Sequence, residues 1–263
     1  MKIKASNEKI KKLYLEDNLS IRQIAKEVCC SSSGIKSRLN KMNVTMRNKC
    51  ASLNLCPKEF NKREFEFIIG TVLGDGHLVK PKKNGESQLY LGHSTKQKKY
   101  IEWKYNEVKR FTGCKIYPLK HTLNNGKTYI TLNFLTRKSK LFTELRYKFY
   151  DKNGRKKFNY EWLKKNITLF SIAVWYADDG YNYPTKGCEI SSQCFTKQEN
   201  EAIISLLKEK FDIISNLRRI KKKTYKIYIK KEDKKHFFNL IKKHIIPSML
   251  YKIKSSETIR QTL

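Results

Sequence analysis

Apolar residues recur every three or four positions near the start of the chain, which predicts three short amphipathic helices. The first helix is expected over residues 7–18. Before the second helix, Ser20 is followed three residues later by Gln23, a spacing typical of a capping box at a helix N-terminus. The third helix is expected to begin at the serines 31–33, after a tight connection. The pattern therefore predicts a small all-α domain over residues 1–47.

The second and third predicted helices resemble a helix-turn-helix motif of the resolvase or homeodomain type. A short turn joins them, and the small residue Ala25 lies where they would cross. In such a motif the last helix enters the major groove of DNA, and its polar residues contact bases or phosphates. The residues in that position here are Ser32, Ser33, Lys36, Ser37 and Arg38. The alternative is a three-helix cap with a solvated basic face, and the surrounding positive charge favours DNA binding.

Beyond residues 48–60, which lose the helical periodicity and are predicted to form a linker, alternating patterns indicate β-strands. In residues 127–134 apolar side chains alternate with polar ones, and the same holds for residues 224–230. One face of each strand therefore suits a hydrophobic core, and the other suits a nucleic acid surface. The polar faces carry the candidate base-reading residues Thr131, Asn133, Lys226, Tyr228 and Lys230.

Short sequences recur in the same order about a hundred residues apart, which indicates an internal duplication. The tripeptide Thr-Lys-Gln stands at residues 95–97 and again at 196–198, and a second tripeptide, Lys-Thr-Tyr, follows it in each copy. We therefore predict a first repeat over residues 61–165 and a second repeat over residues 166–263. Each repeat is expected to run helix, two strands, helix, two strands, helix.

The chain is strongly basic, with 57 lysines and arginines against 24 acidic residues and a formal net charge of +33. An excess of this size indicates a polyanionic partner, and nucleic acid is the commonest one. An anionic membrane surface is the alternative, but no long basic amphipathic helix is predicted, and the longest apolar run, residues 167–177, is too short to span a bilayer. The seven cysteines show no metal-binding spacing and the N-terminus has no secretory signal pattern, so we expect a reducing intracellular compartment.

Two apolar helices are each followed by an aspartate and then a glycine, Asp75–Gly76 in the first repeat and Asp179–Gly180 in the second. We expect each glycine to end its helix in the left-handed conformation, which places each aspartate in the last helical turn. There the helix dipole makes a carboxylate unfavourable by about 0.3–1 kcal/mol. A bound cation reverses this effect, because carboxylate and carbonyl oxygens are good ligands for hard cations.

Small residues one turn apart also distinguish these helices. They are Gly70 and Gly74 in the first repeat and Ala173 and Ala177 in the second. Such residues let two helices approach closely, so the two aspartates would meet at the centre of a basic surface. That arrangement suits divalent metal ions and phosphodiester chemistry. Because the small pairs are one position out of register between the repeats, the helix interface is not expected to be symmetric.

Both helices resemble the signature helices of the LAGLIDADG homing endonucleases, in the branch that carries two motifs in a single chain. The stretches that carry the resemblance are IIGTVLGDG (68–76), IAVWYADDG (172–180) and, near the C-terminus, IIPSMLYKI (245–253). The resemblance covers residues 61–263. It implies an α+β fold in which two pseudo-symmetric αββαββα units form a saddle on DNA, and the helix-turn-helix domain is an addition to that core.

The resemblance implies a metal site at the two motifs. Asp75 and Asp179 would bind Mg²⁺, with Mn²⁺ as a substitute, and would place the attacking water. The backbone carbonyls of Gly74 and Asp178 would add ligands. The side chain of Asp178 is expected to be an ordinary helix-end or solvent residue, because the first motif has no acid at that position.

The resemblance also implies basic and polar residues around the metal. Lys252 would stabilise the charge that builds on phosphorus or polarise water. Its partner in the first repeat is expected to be Lys156 rather than Lys157, on the ungapped spacing alone. Gln193 would orient water or contact the scissile region. His93, at the comparable place in the first repeat, is explained equally well as an ordinary strand residue.

We therefore predict a site-specific homing endonuclease that acts as a monomer. It would make a metal-dependent double-strand break, with short 3′ overhangs, in a long DNA target. The alternatives are an intron RNA maturase and a DNA-binding regulator without cleavage. The presence of Asp75, Asp179 and Lys252 favours the nuclease, because a pure binding protein gains nothing from carboxylates that face phosphates. The cytoplasm of a prokaryotic or phage-infected cell and an organelle both fit as the location.

Overall fold

The chain forms two compact units, Met1–Leu55 and Cys56–Leu263, here called the N-terminal and C-terminal units. The computed structural model describes residues 5–17, 19–46, 56–82 and 85–254. Most of the predicted linker, residues 48–55, lies outside these ranges. Within them, no helix is long and apolar enough to cross a bilayer.

The N-terminal unit consists of three short helices whose apolar faces pack together. They are α1 (Asn7–Leu15), α2 (Ile21–Glu27) and α3 (Ser32–Lys41). A serine caps each helix at its N-terminus, and Ser20 and Gln23 form the predicted capping box. Ile10, Ile24 and Ile35 are fully buried at the centre. Helix α1 ends earlier than predicted, at the exposed residue Leu15, because two acidic residues follow and a helix C-terminus disfavours them.

The C-terminal unit contains the two repeats. The first repeat runs through α4 (Lys62–Leu73), β1 (His77–Leu78), β2 (Leu89–Ser94), α5 (Lys98–Glu107), β3 (Tyr117–Thr122), β4 (Thr128–Leu135) and α6 (Lys140–Phe149). The second repeat is α8 (Leu169–Asp179), β5 (Gly180–Asn182), β6 (Cys188–Ile190), α9 (Lys197–Phe211), β7 (Asn216–Lys221), β8 (Thr224–Ile229) and α10 (Lys231–Ile241), preceded by α7 (Tyr160–Asn166). The predicted order of helices and strands is confirmed, and α7 is an addition to it.

Each repeat forms one antiparallel four-stranded sheet. The strand orders, β1-β2-β4-β3 and β5-β6-β8-β7, are the same when strands are counted within each repeat. Phe134, Ile227 and Ile229 point into the core, as the alternation predicts. Ile130, on the same predicted face as Phe134, is 48% exposed because it lies towards the β3–β4 turn, beyond the edge of the core. The α+β fold with two matching halves is therefore confirmed.

The motif helices α4 and α8 pack directly against each other. A Cβ atom on Gly70 would collide with the carbonyl oxygen of Ser171, and a Cβ atom on Gly74 would lie 2.5 Å from Oδ2 of Asp178. The close approach predicted from these glycines is confirmed. The atoms nearest to them do not belong to the two predicted alanines of α8, so the interface is asymmetric.

The expectation of left-handed glycines after both motif helices is wrong. Neither Gly76 nor Gly180 has a positive φ, and Gly180 caps α8 with a φ of −76°. Glycine is required at both positions because a side chain would clash with neighbouring atoms. A Cβ atom on Gly180 would lie 2.5 Å from Cδ2 of Tyr176, and one on Gly76 would lie 2.5 Å from Cγ2 of Thr71.

Candidate active site

The aspartates of the two motifs lie at adjacent ends of α4 and α8. Asp75 follows the end of α4 with a side chain that is 44% exposed, and Asp179 is the last residue of α8. The main-chain N–H of Asp75 donates to Oδ2 of Asp178 at 3.2 Å, so the two motif ends touch. The indole Nε1 of Trp175, one turn before Asp179, donates to Oδ2 of Asp179 at 3.3 Å. The sequence pattern alone does not mark this tryptophan as a site residue.

Both motif aspartates bind a proton more tightly than an ordinary carboxyl group does. Burial, followed by the negative charge of Asp178, raises the pKa of Asp75. Burial, followed by the charges of Asp75 and Asp178, raises the pKa of Asp179 to about 7. Carboxylates that share a partly dry site repel one another, and a bound divalent cation would relieve that repulsion.

Two lysines occupy matching positions beside these aspartates. The Nζ atom of Lys156 donates to the carbonyl oxygen of Gly74 at 2.6 Å, and Nζ of Lys252 donates to that of Asp178 at 2.8 Å. Each lysine therefore binds the residue just before a motif aspartate. Burial lowers the pKa of both lysines, and the nearby acidic groups act in the opposite direction. Lys157 lines a separate surface cavity with residues of α6.

Local chain geometry explains how both lysines reach the site. A tight turn follows α6, with Gly154 in the left-handed region at φ 83°, and a β-bridge pairs Tyr150 with Lys156. A short 3-10 helix over Pro247–Lys252, with its proline at the N-terminus, delivers the second lysine. The hydroxyl of Tyr176 donates to the carbonyl oxygen of Lys252 at 3.2 Å and holds that helix against α8.

The side chain of Asp178 is buried, which corrects the expectation that it faces solvent. Its carboxylate has no exposed surface and accepts hydrogen bonds from Nζ of Lys104 at 2.6 and 2.8 Å. The hydroxyl of Tyr100 donates to the same carboxylate at 2.6 Å. Both partners are buried residues of α5. The sequence does contain a signal for this network, because Lys104 falls one turn after Tyr100 in line with the apolar face of α5.

His93 lies between the carboxylates of Asp75 and Asp178. Its Nδ1 is 3.7 Å from Oδ2 of Asp75, its Nε2 is 4.0 Å from Oδ1 of Asp178, and the ring is buried. Burial, followed by the charge of Lys104, lowers the pKa of His93 to about 4, so the ring is neutral at pH 7. The three residues offer ligand atoms within 4.8 Å of one another, a geometry that could hold a metal ion.

Charge balance indicates which of these groups are best suited to a metal ion. The carboxylate of Asp178 is already paired with Lys104, whereas Asp75 and Asp179 have no lysine on their carboxylates in the ion pairs of the described residues. The carbonyl oxygens of Gly74 and Asp178 each accept one ammonium hydrogen bond and keep a second lone pair. These oxygen ligands fit a hard divalent cation such as Mg²⁺ or Mn²⁺.

Comparisons with known proteins show the family to which the chain belongs. A family model described as the LAGLIDADG DNA endonuclease family matches residues 65–237. The chain belongs to this family. It is 34% identical over 202 residues to the "Probable intron-encoded endonuclease 1" of Wickerhamomyces canadensis, a match that covers 73% of this chain and 84% of that protein.

Two further relatives of this LAGLIDADG chain extend the comparison. The chain is 27% identical over 221 residues to the "Cytochrome b mRNA maturase bI2" of Saccharomyces cerevisiae, which covers 81% of this chain and 52% of that protein. Among solved structures, the homing endonuclease I-WcaI bound to its DNA recognition sequence matches with a TM-score of 0.73 and 26% sequence identity. That match covers 82% of this chain and 97% of I-WcaI.

In the first sheet, the two predicted base-reading residues are less accessible than the sequence pattern predicts. Asn133 is buried, where its Oδ1 accepts a hydrogen bond from the hydroxyl of Tyr90 and its Nδ2 donates to Oγ1 of Thr131 at 2.8 Å. This burial contradicts the prediction that Asn133 contacts bases. Thr131 is half-buried and also contacts Nε2 of His121 at 2.8 Å. Asn133 therefore orients its neighbours.

The second sheet presents a cluster of charged and aromatic residues on its polar face. Lys226 donates to the buried carboxylate of Glu189 at 2.6 Å, and Arg218 donates to the same carboxylate at 3.2 Å. The guanidinium of Arg218 lies 5.5 Å from the ring centre of Tyr228. Arg218 was not predicted, although it pairs opposite Lys226 in the ladder. Lys230 lies beyond the end of β8, as the residue that precedes α10.

The remaining predicted residues lie in a turn after β6 and on α3. Gln193 is exposed in a turn after β6. Arg38 on α3 donates to the side chain of Asn7 at 2.8 Å and to the carbonyl oxygen of Ala5 at 2.6 Å. These bonds use Nε and Nη2 of its guanidinium to hold the start of α1, and a contact of Arg38 with DNA stays a prediction. The other predicted residues of α3 are all exposed, namely Ser32, Ser33, Lys36 and Ser37.

Proposed function

We propose that the chain is a site-specific homing endonuclease that cuts both strands of a long DNA target in a Mg²⁺-dependent reaction, with Mn²⁺ as a substitute. The observation that carries the proposal is the matched pair of half-sites at the ends of α4 and α8. Each half-site has a motif aspartate, and a half-buried lysine binds the carbonyl oxygen just before it. Two equivalent half-sites suit a reaction that is carried out once on each strand.

The residues of each half-site have separate tasks in this proposal. When bound, the divalent ion would supply Lewis-acid stabilisation and lower the pKa of water. Asp75 and Asp179 hold the ion and orient the attacking water. Lys156 and Lys252 each use one ammonium N–H on a carbonyl oxygen, which leaves two donors for phosphate oxygens as negative charge develops.

The two sheets supply the surface that binds the DNA target. The net charge of +33 provides long-range attraction for a polyanion. Lys226, Tyr228 and the neighbouring Arg218 lie on one polar sheet face, where they are held by Glu189 or by ring contacts before DNA arrives. Thr131 is the matching contact on the first sheet. Because the duplication supplies both halves of the site, a monomer suffices.

The N-terminal unit is proposed as a helix-turn-helix domain that extends the contact with DNA. Four polar residues of α3 are exposed, and Lys36 is among them. The remaining domain limits, with the repeats at 61–165 and 166–263, stay predictions. A reducing compartment is also proposed, since the cysteines within the described part of the chain are all free thiols.

An RNA maturase is the second candidate, because one relative is a cytochrome b mRNA maturase with 27% identity to this chain. A maturase needs the basic surface but not two matched half-sites. The paired aspartates and lysines therefore favour the nuclease.

A randomised plasmid library tests the proposed function directly. The purified protein is incubated with the library in Mg²⁺, in Mn²⁺, in Ca²⁺ and in EDTA, and the broken ends are mapped by sequencing. The proposal expects double-strand breaks with short 3′ overhangs at one long site, in Mg²⁺ and not in EDTA. Binding to DNA without breaks in Mg²⁺ or Mn²⁺ would contradict the nuclease and favour the maturase.

A further inference from the structure

A buried charge network joins the two repeats beneath the candidate active site. Asp178 belongs to α8 of the second repeat, whereas Lys104 and Tyr100 belong to α5 of the first repeat. The carboxylate of Asp178 and the side chain of Lys104 have no exposed surface, and the ammonium also lies 4.7 Å from the ring centre of Tyr100. Taking two charges out of water is costly, and apolar residues of similar volume often replace such a pair without loss of stability. Stability alone therefore does not account for this network.

The network contacts the main chain of the motif aspartate Asp75. Oδ2 of Asp178, which lies 2.8 Å from Nζ of Lys104, accepts the main-chain N–H of Asp75 at 3.2 Å. Asp75 follows the end of α4, and the N–H groups of its neighbours Gly74 and Gly76 donate to carbonyl oxygens of that helix, whereas the N–H of Asp75 donates across to α8. The hydrogen bond from its N–H therefore anchors the main chain from which the Asp75 carboxylate projects.

The second motif aspartate lacks this support. The position that matches Asp178 in the first repeat is Gly74, which has no side chain, and Asp178 occupies the space in front of it. Asp179 instead receives a hydrogen bond from Trp175 of its own helix. The two metal-binding carboxylates are therefore oriented in different ways.

We propose that Asp178 is a positioning residue for Asp75, and that Lys104 and Tyr100 hold its carboxylate in the orientation that binds the Asp75 N–H. This role rests on the metal-dependent function proposed above. Without the network, the Asp75 carboxylate is less well oriented and the site binds its metal ion more weakly, although no ligand has been removed. Asp178 has no free lone pair for a metal ion in this arrangement, because Oδ1 accepts from Tyr100 and Lys104 and Oδ2 accepts from Lys104 and the Asp75 N–H.

The test is a triple variant, Tyr100→Phe with Lys104→Met and Asp178→Leu, in the DNA-free protein. It replaces the network by apolar side chains of similar shape and leaves the net charge unchanged, so an altered metal affinity is not a charge effect. Metal binding is measured with Tb³⁺, whose luminescence can be excited through Trp175 beside Asp179. Hydrogen exchange at the Asp75 amide and thermal unfolding in EDTA are measured in parallel. Asp75→Asn gives the reference for a lost ligand, and Lys98→Met, on the exposed side of α5, is the matched control.

The proposal expects Tb³⁺ to bind the triple variant about tenfold more weakly than the wild type, as for other residues that orient metal ligands. It expects faster exchange at the Asp75 amide, at a thermal midpoint within about 4 °C of the wild type. Lys98→Met should change neither property. Wild-type Tb³⁺ affinity together with an equally protected Asp75 amide would overturn the proposal.

Two outcomes require a further variant or a further measurement. If the triple variant does not fold, Asp178→Ala removes the acceptor of the Asp75 N–H, and an unchanged Asp75 amide in that variant would overturn the proposal. If Tb³⁺ binds neither the wild type nor Asp75→Asn, the metal-dependent function fails. The exchange of the Asp75 amide then still decides whether Asp178 anchors that residue.

Discussion

The carboxylate of Asp178 occupies the space that Gly74 leaves open where α4 and α8 cross. A Cβ atom on Gly74 would lie 2.5 Å from Oδ2 and 2.6 Å from Cβ of Asp178. The carboxylate cannot move away, because Lys104 and Tyr100 hold it from the other side. Gly74 and Asp178 therefore differ although they occupy matching positions of the two repeats. Gly74 has no side chain, whereas Asp178 has a carboxylate that is held in place.

Gly74→Ala should destabilise the protein by about 1–3 kcal/mol, because an overpacked side chain in a fixed interface must displace its neighbours. Chemical denaturation in EDTA measures the change. Gly113→Ala is the control, since the nearest atoms to its Cβ belong to the movable side chain of Arg137, at 3.2 Å. An equal loss in both variants, or none in Gly74→Ala, would contradict a tight crossing at Asp178.

Lys156→Met should slow cleavage of the mapped DNA target by about 10²–10³-fold, as expected when a donor to a charged transition state is removed. Its ammonium lies 2.6 Å from the carbonyl oxygen of Gly74, beside the metal-binding residues. Lys157→Met removes the same charge from the next residue and should leave the rate within a few-fold of the wild type. DNA binding in Ca²⁺, measured for both variants, separates a catalytic loss from a binding loss. Equal rates for the two variants would contradict the assignment.

The sequence predicts the parts of this site that are repeated and leaves out the parts that are not. Asp75 and Asp179 are visible because both copies break the same rule for helix ends. The carbonyl of Asp178 is predicted as a ligand, but the role of its side chain is missed because the counterpart, Gly74, has no side chain to compare. From its residue type, Lys104 would be expected to face solvent. Only the structure shows that α5 buries the face on which it lies. The choice between neighbouring lysines after α6 depends on a turn whose geometry the spacing does not fix.

The predicted base contact of Asn133 fails for a related reason. Asn133 has the polar character of a base-reading residue, yet Tyr90 and Thr131 satisfy its side chain inside the sheet. Arg38 is likewise used to hold the start of α1. A polar residue in a sequence pattern can serve either DNA or its own fold, and only the observed partners separate the two roles.

The stability of the metal-free protein should depend on Asp179 in a defined pH range. Because burial and neighbouring carboxylates raise its pKa from 3.8 to about 7, the folded state binds more protons than the unfolded state between these values. The free energy of unfolding should therefore fall as the pH rises from 4 to 7, by roughly 2–4 kcal/mol from this residue.

Denaturation in EDTA at several pH values measures this dependence, and Asp179→Asn should remove it. The control is Asp212→Asn, which replaces an exposed aspartate that pairs with Lys208 on the surface. The control should keep the wild-type slope between pH 4 and 7. If Asp179→Asn leaves the slope unchanged, the pKa of the Asp179 carboxyl group is not raised in the metal-free site.

Lys36→Glu should weaken binding to the mapped target if α3 contacts DNA. Lys36 is exposed on α3, and a lost phosphate contact should lower the salt dependence of binding by about one unit in the log–log slope. Lys11→Glu makes the same charge change on the exposed face of α1 and is the control. Binding in Ca²⁺ over a range of salt concentrations gives both slopes. Equal effects of the two substitutions would indicate general attraction without a contact from α3.

The most direct measurement of the central claim is cleavage of the mapped target by Asp75→Asn and Asp179→Asn, with Asp212→Asn alongside. The account predicts a Mg²⁺-dependent double-strand break by the wild type and by Asp212→Asn. It predicts no double-strand break by either motif variant, while both still bind the target in Ca²⁺. Double-strand cleavage that survives both motif substitutions would contradict the assignment of Asp75 and Asp179 as the metal-binding residues.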